Sequence, residues 1–123
     1  MKISITGSRG FTNYSTFLLK MNEYISTNNI DINKILSGGA KGIDSLAKEY
    51  AVSNNIEIQE LIPEWSKYGK SAGILRNKDI LENADLNLIF WDGVSKGTKF
   101  NIDYCKKNNK MFHVFIIKGD DIE

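Results

Sequence analysis

The sequence predicts an α/β fold: a doubly wound parallel sheet of five strands, ordered 3-2-1-4-5, with helices on both faces. Three observations carry this. Short β-like runs alternate strictly with helical ones along the 123 residues, as a parallel sheet covered on both faces requires. Glycines follow the first, second and fourth β-like runs, at Gly7, Gly38 and Gly93. The 41% hydrophobic and 25% charged content is that of a soluble globular protein, which sets disorder aside. Right-handed crossovers then favour the 3-2-1-4-5 order.

Lys2 to Thr6 is a β-branched run ended by Gly7, the first strand. From Thr12 to about Asn28, Tyr14, Phe17, Leu18, Met21 and Ile25 recur at helical spacing, with Thr12 as N-cap and Asn28-Asn29 as the stop. Lys34 to Ser37 is the second strand, and Ile43, Leu46, Ala47, Tyr50 and Ala51 trace the next helical stripe. Ile56 to Ile62 is the third strand, closed by Pro63, the only proline. Glu64 to Ser71 reads as a polar loop, and Ala72 to Asn83 as a helix with a less regular apolar face. Leu86 to Trp91, almost continuously apolar, is the fourth strand. A loop from Asp92 to Gly97 leads to a helix from Thr98 to about Asn108. Met111 to Ile117 is the fifth strand, apolar except for His113, and a short acidic tail follows. The many asparagines and lysines read as coding bias.

A chain of this length fits one domain, residues 1–123. No apolar run approaches the roughly 20 residues that cross a bilayer, so no membrane partner is expected. The N-terminus enters a glycine turn with no room for a signal peptide, which predicts a cytoplasmic location. A single cysteine, Cys105, excludes an internal disulfide framework and a cysteine-cluster metal site, and the sequence calls for neither metal nor cofactor. The net charge of +1 does not require a nucleic-acid partner. The only two arginines, Arg9 and Arg76, both fall in glycine- or asparagine-containing motifs, and arginine suits bidentate phosphate or carboxylate recognition.

In the predicted order the first and fourth strands are neighbours where the winding reverses, and open α/β sheets bind ligands beyond the strand ends at that point. Three motifs converge there. Gly7-Ser8-Arg9 offers a sharp turn, exposed N–H groups and a charged fork. Ser37-Gly38-Gly39-Ala40-Lys41-Gly42-Ile43-Asp44 brings backbone close to a ligand and leads into a helix N-terminus. It has neither the Walker A nor the G-x-G-x-x-G pattern. Asp44 fits two roles, a cap within its own loop or a partner for a ribose hydroxyl. Asp92-Gly93-Val94-Ser95-Lys96-Gly97-Thr98 offers a second phosphate-sized nest.

Arg76-Asn77 sits on the helix before the fourth strand, where an arginine ordinarily faces solvent. Trp65 and Tyr68, beside Lys67 and Lys70, suit stacking on a base, although Trp65 equally suits covering one end of the core. Trp91 fits packing or pocket lining. His113 is expected to satisfy a local hydrogen bond, and Cys105 to pack in the last helix.

Together these pieces resemble the SLOG superfamily, the Rossmann-like group that contains the Lonely Guy phosphoribohydrolases and the DNA-processing protein DprA. The motifs run in order from Gly7-Ser8-Arg9 through Ser37-Gly38-Gly39-Ala40, Gly42-Ile43-Asp44 and Ala47 to Arg76-Asn77 and Gly97-Thr98. Trp65, Ala72-Gly73, Ala84-Asp85 and Phe90-Trp91-Asp92-Gly93 add the pattern of the small stand-alone branch. The resemblance implies a crevice for nucleotides or nucleotide-derived molecules, and a homo-oligomer paired through crevice-adjacent helices. In the Lonely Guy enzymes an arginine and a glutamate act together on an N-glycosidic bond. Arg76 matches the arginine, but Asn101 stands at the glutamate position, and the Pro-Gly-Gly before that motif is replaced by Asp92-Gly93-Val94-Ser95. Asparagine cannot act as a carboxylate base.

The expected function is therefore binding of a nucleotide or nucleotide-derived ligand, as sensor or sequestering protein. An N-glycosidase using Arg76 with Asp92 is the alternative. DprA-like binding of single-stranded nucleic acid is the third class, and near-neutral charge argues against it. Asp103, five residues after Thr98, is expected to point away from the loop.

Overall fold

The structure, a computed structural model, describes residues 1–118; the acidic tail expected after the fifth strand lies outside the described residues. The sheet comprises β1 (Lys2–Gly7), β2 (Lys34–Ser37), β3 (Glu57–Glu60), β4 (Leu86–Trp91) and β5 (Phe112–Ile116). Its order is β3-β2-β1-β4-β5 and every pairing is parallel, as the sequence predicts. The helices are α1 (Tyr14–Thr27), α2 (Ile43–Ser53), the single turn α3 (Trp65–Tyr68), α4 (Ala72–Asn83) and α5 (Lys96–Lys107).

Side chains alternate across a strand with period two, which explains the apolar run of β4. Leu86, Leu88 and Phe90 face the larger core, with Ile3 and Ile5 of β1, Phe17 and Met21 of α1, and Ile43, Leu46 and Tyr50 of α2. Ile89 faces the other side and packs with Leu81 of α4 and Ile102 and Cys105 of α5. Asn87 interrupts the run, fully buried. Its Oδ1 accepts from the Ser4 hydroxyl at 2.6 Å, and its Nδ2 donates to the Met111 carbonyl at 3.3 Å. A buried amide is tolerated because it is bonded at both ends.

Several boundaries differ from the sequence reading. The N-cap of α1 is Asn13 rather than Thr12, its Oδ1 accepting the Thr16 N–H at 3.1 Å. The polar loop from Glu64 to Ser71 is instead the α3 turn followed by a 3₁₀ turn at Gly69–Ser71, because the Glu64 carbonyl accepts from both Lys67 and Tyr68. β3 is shorter than 56–62 because the Ile56 N–H is spent on the Ala51 carbonyl at the end of α2, and because its partner β2 ends at Ser37, opposite Glu60. α5 starts at Lys96, two residues before Thr98, with Ser95 as its extended cap residue.

The asparagines are more than coding bias. Asn29, Asn55 and Asn109 each adopt a left-handed conformation, with φ of 51°, 53° and 54°. They end α1, α2 and α5 with the same motif, in which the next residue's N–H (Ile30, Ile56, Lys110) returns to the helix (Ile25, Ala51, Cys105). Asparagine tolerates that conformation better than other residues with a Cβ.

β5 is an edge strand, as the predicted order places it, and it is only partly buried although its run is almost wholly apolar. His113 is exposed, and its side chain makes no hydrogen bond among the described residues. Its ring instead lies 4.5 Å from Tyr24 and 4.6 Å from Phe115, centroid to centroid. Among the described residues no helix is long and apolar enough to cross a membrane.

Candidate functional site

The reversal point lies between β1 and β4, where Gly7 stands opposite Phe90. No larger residue fits there, since a Cβ on Gly7 would lie 2.3 Å from the Phe90 carbonyl oxygen. Ser8 then ties three loops together. Its N–H donates to Phe90 O at 3.1 Å, its carbonyl accepts from Ile43 N at 3.3 Å, and its hydroxyl accepts from Asp92 N at 3.2 Å. The chain thus leaves β1 pinned to both flanking loops, and Arg9 and Gly10 face the opening.

The second wall is an arginine bolt. Arg76 of α4 donates from Nη1 to the Gly38 carbonyl at 2.8 Å and to the Leu61 carbonyl at 3.3 Å, and from Nε to Asn77 Oδ1 at 2.9 Å. Gly38 leaves room for it, since a Cβ there would lie 2.6 Å from Arg76 Nη1 and 2.8 Å from Asp44 Oδ2. Asp44 takes the capping role, accepting the Ala40 N–H at 3.1 Å within its own loop. Burial pushes the Asp44 carboxyl above its ordinary value of 3.8. The Ala40 N–H, Arg76, the nearby Ser37 hydroxyl and Arg9 oppose that rise. The Ser37 hydroxyl itself, fully buried, meets strict hydrogen-bond geometry with no partner among the described residues.

A raised carboxyl pKa means that the folded state holds the proton more tightly than the unfolded chain does. The Asp44 contribution is therefore fully present below the unfolded value and lost as pH rises through the folded one. Urea denaturation from about pH 3 to about pH 7 should show Asp44→Asn gaining stability relative to the parent protein as pH rises. A difference that is flat or falls with pH contradicts this account of Asp44.

The third wall is the start of α5. Asp92 Oδ1 accepts the N–H groups of Val94 and Ser95 at 3.0 and 2.8 Å, which shapes the turn into the helix. Desolvation raises the Asp92 pKa, but these backbone bonds outweigh it and hold the carboxylate below the usual range. Asp92 Oδ1 is thus committed to the loop, and a carboxylate held below its usual range is a weaker base. Ser95 places no side-chain oxygen on the helix N–H groups and bonds instead with the Thr98 hydroxyl at 3.1 Å. The first turn of α5 is left open for an anion. Trp91 supports this turn by donating to the Ser95 carbonyl at 3.1 Å.

Together the walls enclose a crevice of about 420 Å³, within the range of small-molecule sites. Of the residues singled out in the sequence it brings together Gly7, Arg9, Gly38, Asp44, Arg76, Asn77, Asp92, Ser95, Gly97 and Thr98. A second lobe of about 500 Å³ shares Arg9, Gly38, Ala40 and Arg76 with it, and adds Gly39, Ile62 and an exposed Trp65. Trp65 thus stands at the lobe rather than over the core. Ser8, Ser37 and Gly42 are buried behind the walls, and Gly93 (φ 87°) makes the turn after Asp92 without lining either lobe.

Sequence reasoning did not single out Thr6, Gly10 or Ile80, which also line the crevice. Thr6 precedes Gly7 at the end of the reversal-point strand, and that position was a usable signal. Ile80 lies one turn beyond Arg76 and carried none. Asp103 is exposed and paired with Lys99 at 2.9 Å, and Cys105 is buried in the core, where burial pushes its thiol up to about 11. Among the described residues no group of three or more His, Cys, Asp and Glu is placed to hold a metal ion.

A parallel 3-2-1-4-5 sheet with a polar crevice at its reversal point defines a Rossmann-like domain. The chain belongs to the YspA, cpYpsA-related SLOG family, whose family model matches residues 1–68, from β1 through α3. It is also similar to the Gene 61 protein of Mycobacterium phage D29, at 31% identity over 126 aligned residues covering 98% of this chain and 97% of that protein. No solved structure matches the chain.

Proposed function

We propose that the crevice binds a nucleotide or nucleotide-derived molecule and holds it without cleaving it, so that the protein acts as a sensor or sequestering protein. One observation carries the reading: two guanidinium groups and the open first turn of α5 share a crevice in which every carboxylate is already committed to its own loop. Arg9 is exposed, with no hydrogen bond or ion pair among the described residues, and serves as the free anion clamp. Trp65 offers a base a stacking face in the adjoining lobe. Membership of a SLOG family supports a nucleotide-related ligand.

Residues 1–123 act as one binding domain in this reading, in the cytoplasm and as a homo-oligomer. Self-association is supported by the exposed apolar side chains of α4, among them Ile74 and Leu75. Light scattering that returns only monomer overturns that part. Screening the melting temperature against nucleoside mono-, di- and triphosphates, cyclic nucleotides and ADP-ribose derivatives should find at least one that stabilises the protein. No stabilisation by any of them sinks the binding reading. Release of free base in the same incubations, abolished by Arg76→Ala, replaces it with the glycosidase. Tight, salt-sensitive retention of single-stranded DNA replaces it with nucleic-acid binding.

A further inference from the structure

The two edges of the sheet differ in what they offer a further strand. β3, at one edge, is the short polar run Glu57-Ile58-Gln59-Glu60, and charged side chains on a short edge strand discourage pairing. β5, at the other edge, carries no Asp, Glu, Lys, Arg or Pro from Met111 to Ile117. Met111 is 64% exposed and Ile116 52% exposed, and His113 is exposed between them. A groove of about 510 Å³ runs beside the strand, lined by Lys20 and Tyr24 of α1 and by His113 and Phe115. A bare apolar edge of this kind is a template for another strand.

The bonds to β4 say which backbone groups of β5 are in use. The Met111 carbonyl accepts from Asn87 N at 3.0 Å, and the Ile117 N–H donates to Trp91 O at 2.9 Å. Backbone groups alternate sides along a strand, so the odd-numbered residues of β5 bond β4. Phe112, Val114 and Ile116 therefore turn their N–H and C=O groups to the open edge. In a second copy laid antiparallel, with a twofold axis at Val114, Val114 faces Val114 and Phe112 faces Ile116. Each facing pair then exchanges both its bonds. No other register matches all three residues of one strand to all three of the other. Exposed Ile116 of one copy also meets partly buried Phe112 of the other. Charge favours the same orientation. Lys106 and Lys107, in the last turn of α5, precede β5 in sequence, and Asp120, Asp121 and Glu123 follow it. An antiparallel pair sets the start of each strand beside the end of the other, so these opposite charges meet.

We propose that two copies of the chain join through their β5 edges, antiparallel about Val114, so that the two sheets become one with the crevices at opposite ends. The inference rests on the homo-oligomer reading above and names a contact separate from α4.

Light scattering and amide-resolved hydrogen exchange on the full chain test it together. The parent protein should associate, with slow exchange at the N–H groups of Phe112, Val114 and Ile116. Ile116→Lys places a charge on the edge and should return a smaller assembly, in which the Phe112 and Val114 amides exchange about 100-fold faster. The His113 and Phe115 amides, bonded to β4, should stay slow in both proteins. Val114→Pro removes an outward N–H that β4 does not use, and should also break the pair. Should Val114→Pro fail to fold, the exchange pattern of the parent and of Ile116→Lys still decides. A parent that associates while Phe112, Val114 and Ile116 exchange as fast as exposed amides overturns the inference and leaves the homo-oligomer reading standing. An assembly that Ile116→Lys and a folded Val114→Pro both leave intact does the same. A parent that is monomeric throughout overturns both.

Discussion

Gly42→Ala is expected to lower folding stability by about 3–5 kcal/mol and the melting temperature by roughly 10–20 °C. Gly42 sits at φ 71° and ψ −126°, a conformation open essentially to glycine alone. A Cβ there would also lie 2.4 Å from the carbonyl oxygens of both Ser8 and Arg9. Ser8 cannot retreat, because its N–H is held by Phe90 and its carbonyl by Ile43. The strain and the clash therefore add. Gly10→Ala is the matched control, since a Cβ on Gly10 meets nothing within 4 Å, and its effect should stay within about 0.5 kcal/mol. Thermal denaturation followed by circular dichroism measures both. A Gly42→Ala protein that melts with the parent refutes the close approach of the first two loops.

Arg76→Ala should cost about 2–3 kcal/mol of stability and weaken binding of the nucleotide found by screening by about 100-fold or more. The guanidinium bonds the Gly38 and Leu61 carbonyls, so its removal unbolts the second loop from the end of β3. Asp44, buried nearby, loses its main cationic neighbour, and an uncompensated buried carboxylate is costly. Pairing Arg76→Ala with Asp44→Asn should recover part of the stability and none of the binding. Arg76→Lys keeps the charge but lacks the planar fork, and should recover little binding. Urea denaturation and calorimetric titration read the two effects separately. Undiminished binding by Arg76→Ala removes this residue from the ligand site, whatever happens to stability.

The strand order and the place of the crevice were legible because they depend on local pattern. Alternation of burial marks strands and helices, and glycine marks positions such as Gly7 and Gly42 where backbone or side chain leaves no room for a Cβ. The edge position of β5 follows from the predicted order, but its partial burial was not legible, since Phe112–Ile116 has the composition of an interior strand. The buried Asn87 shows the same limit, because its partners Ser4 and Met111 belong to other strands or their approaches. The asparagine pairs were legible only in part. Asn28-Asn29 reads as a stop, but the same role at Asn54-Asn55 and Asn108-Asn109 emerges only once three helices end alike.

The sequence by itself determined the α/β sheet and the crevice that its glycine loops surround, because periodicity and the absence of a Cβ act over a few residues. The tertiary structure decided how each crevice residue is used, because a side chain is free or spent according to partners far along the chain. Arg76 gives its Nη1 to a carbonyl 38 residues away, Ser8 its hydroxyl to an N–H 84 residues away, and Asp92 its Oδ1 to its own turn. Arg9, the Nη2 of Arg76 and the first turn of α5 remain for a ligand.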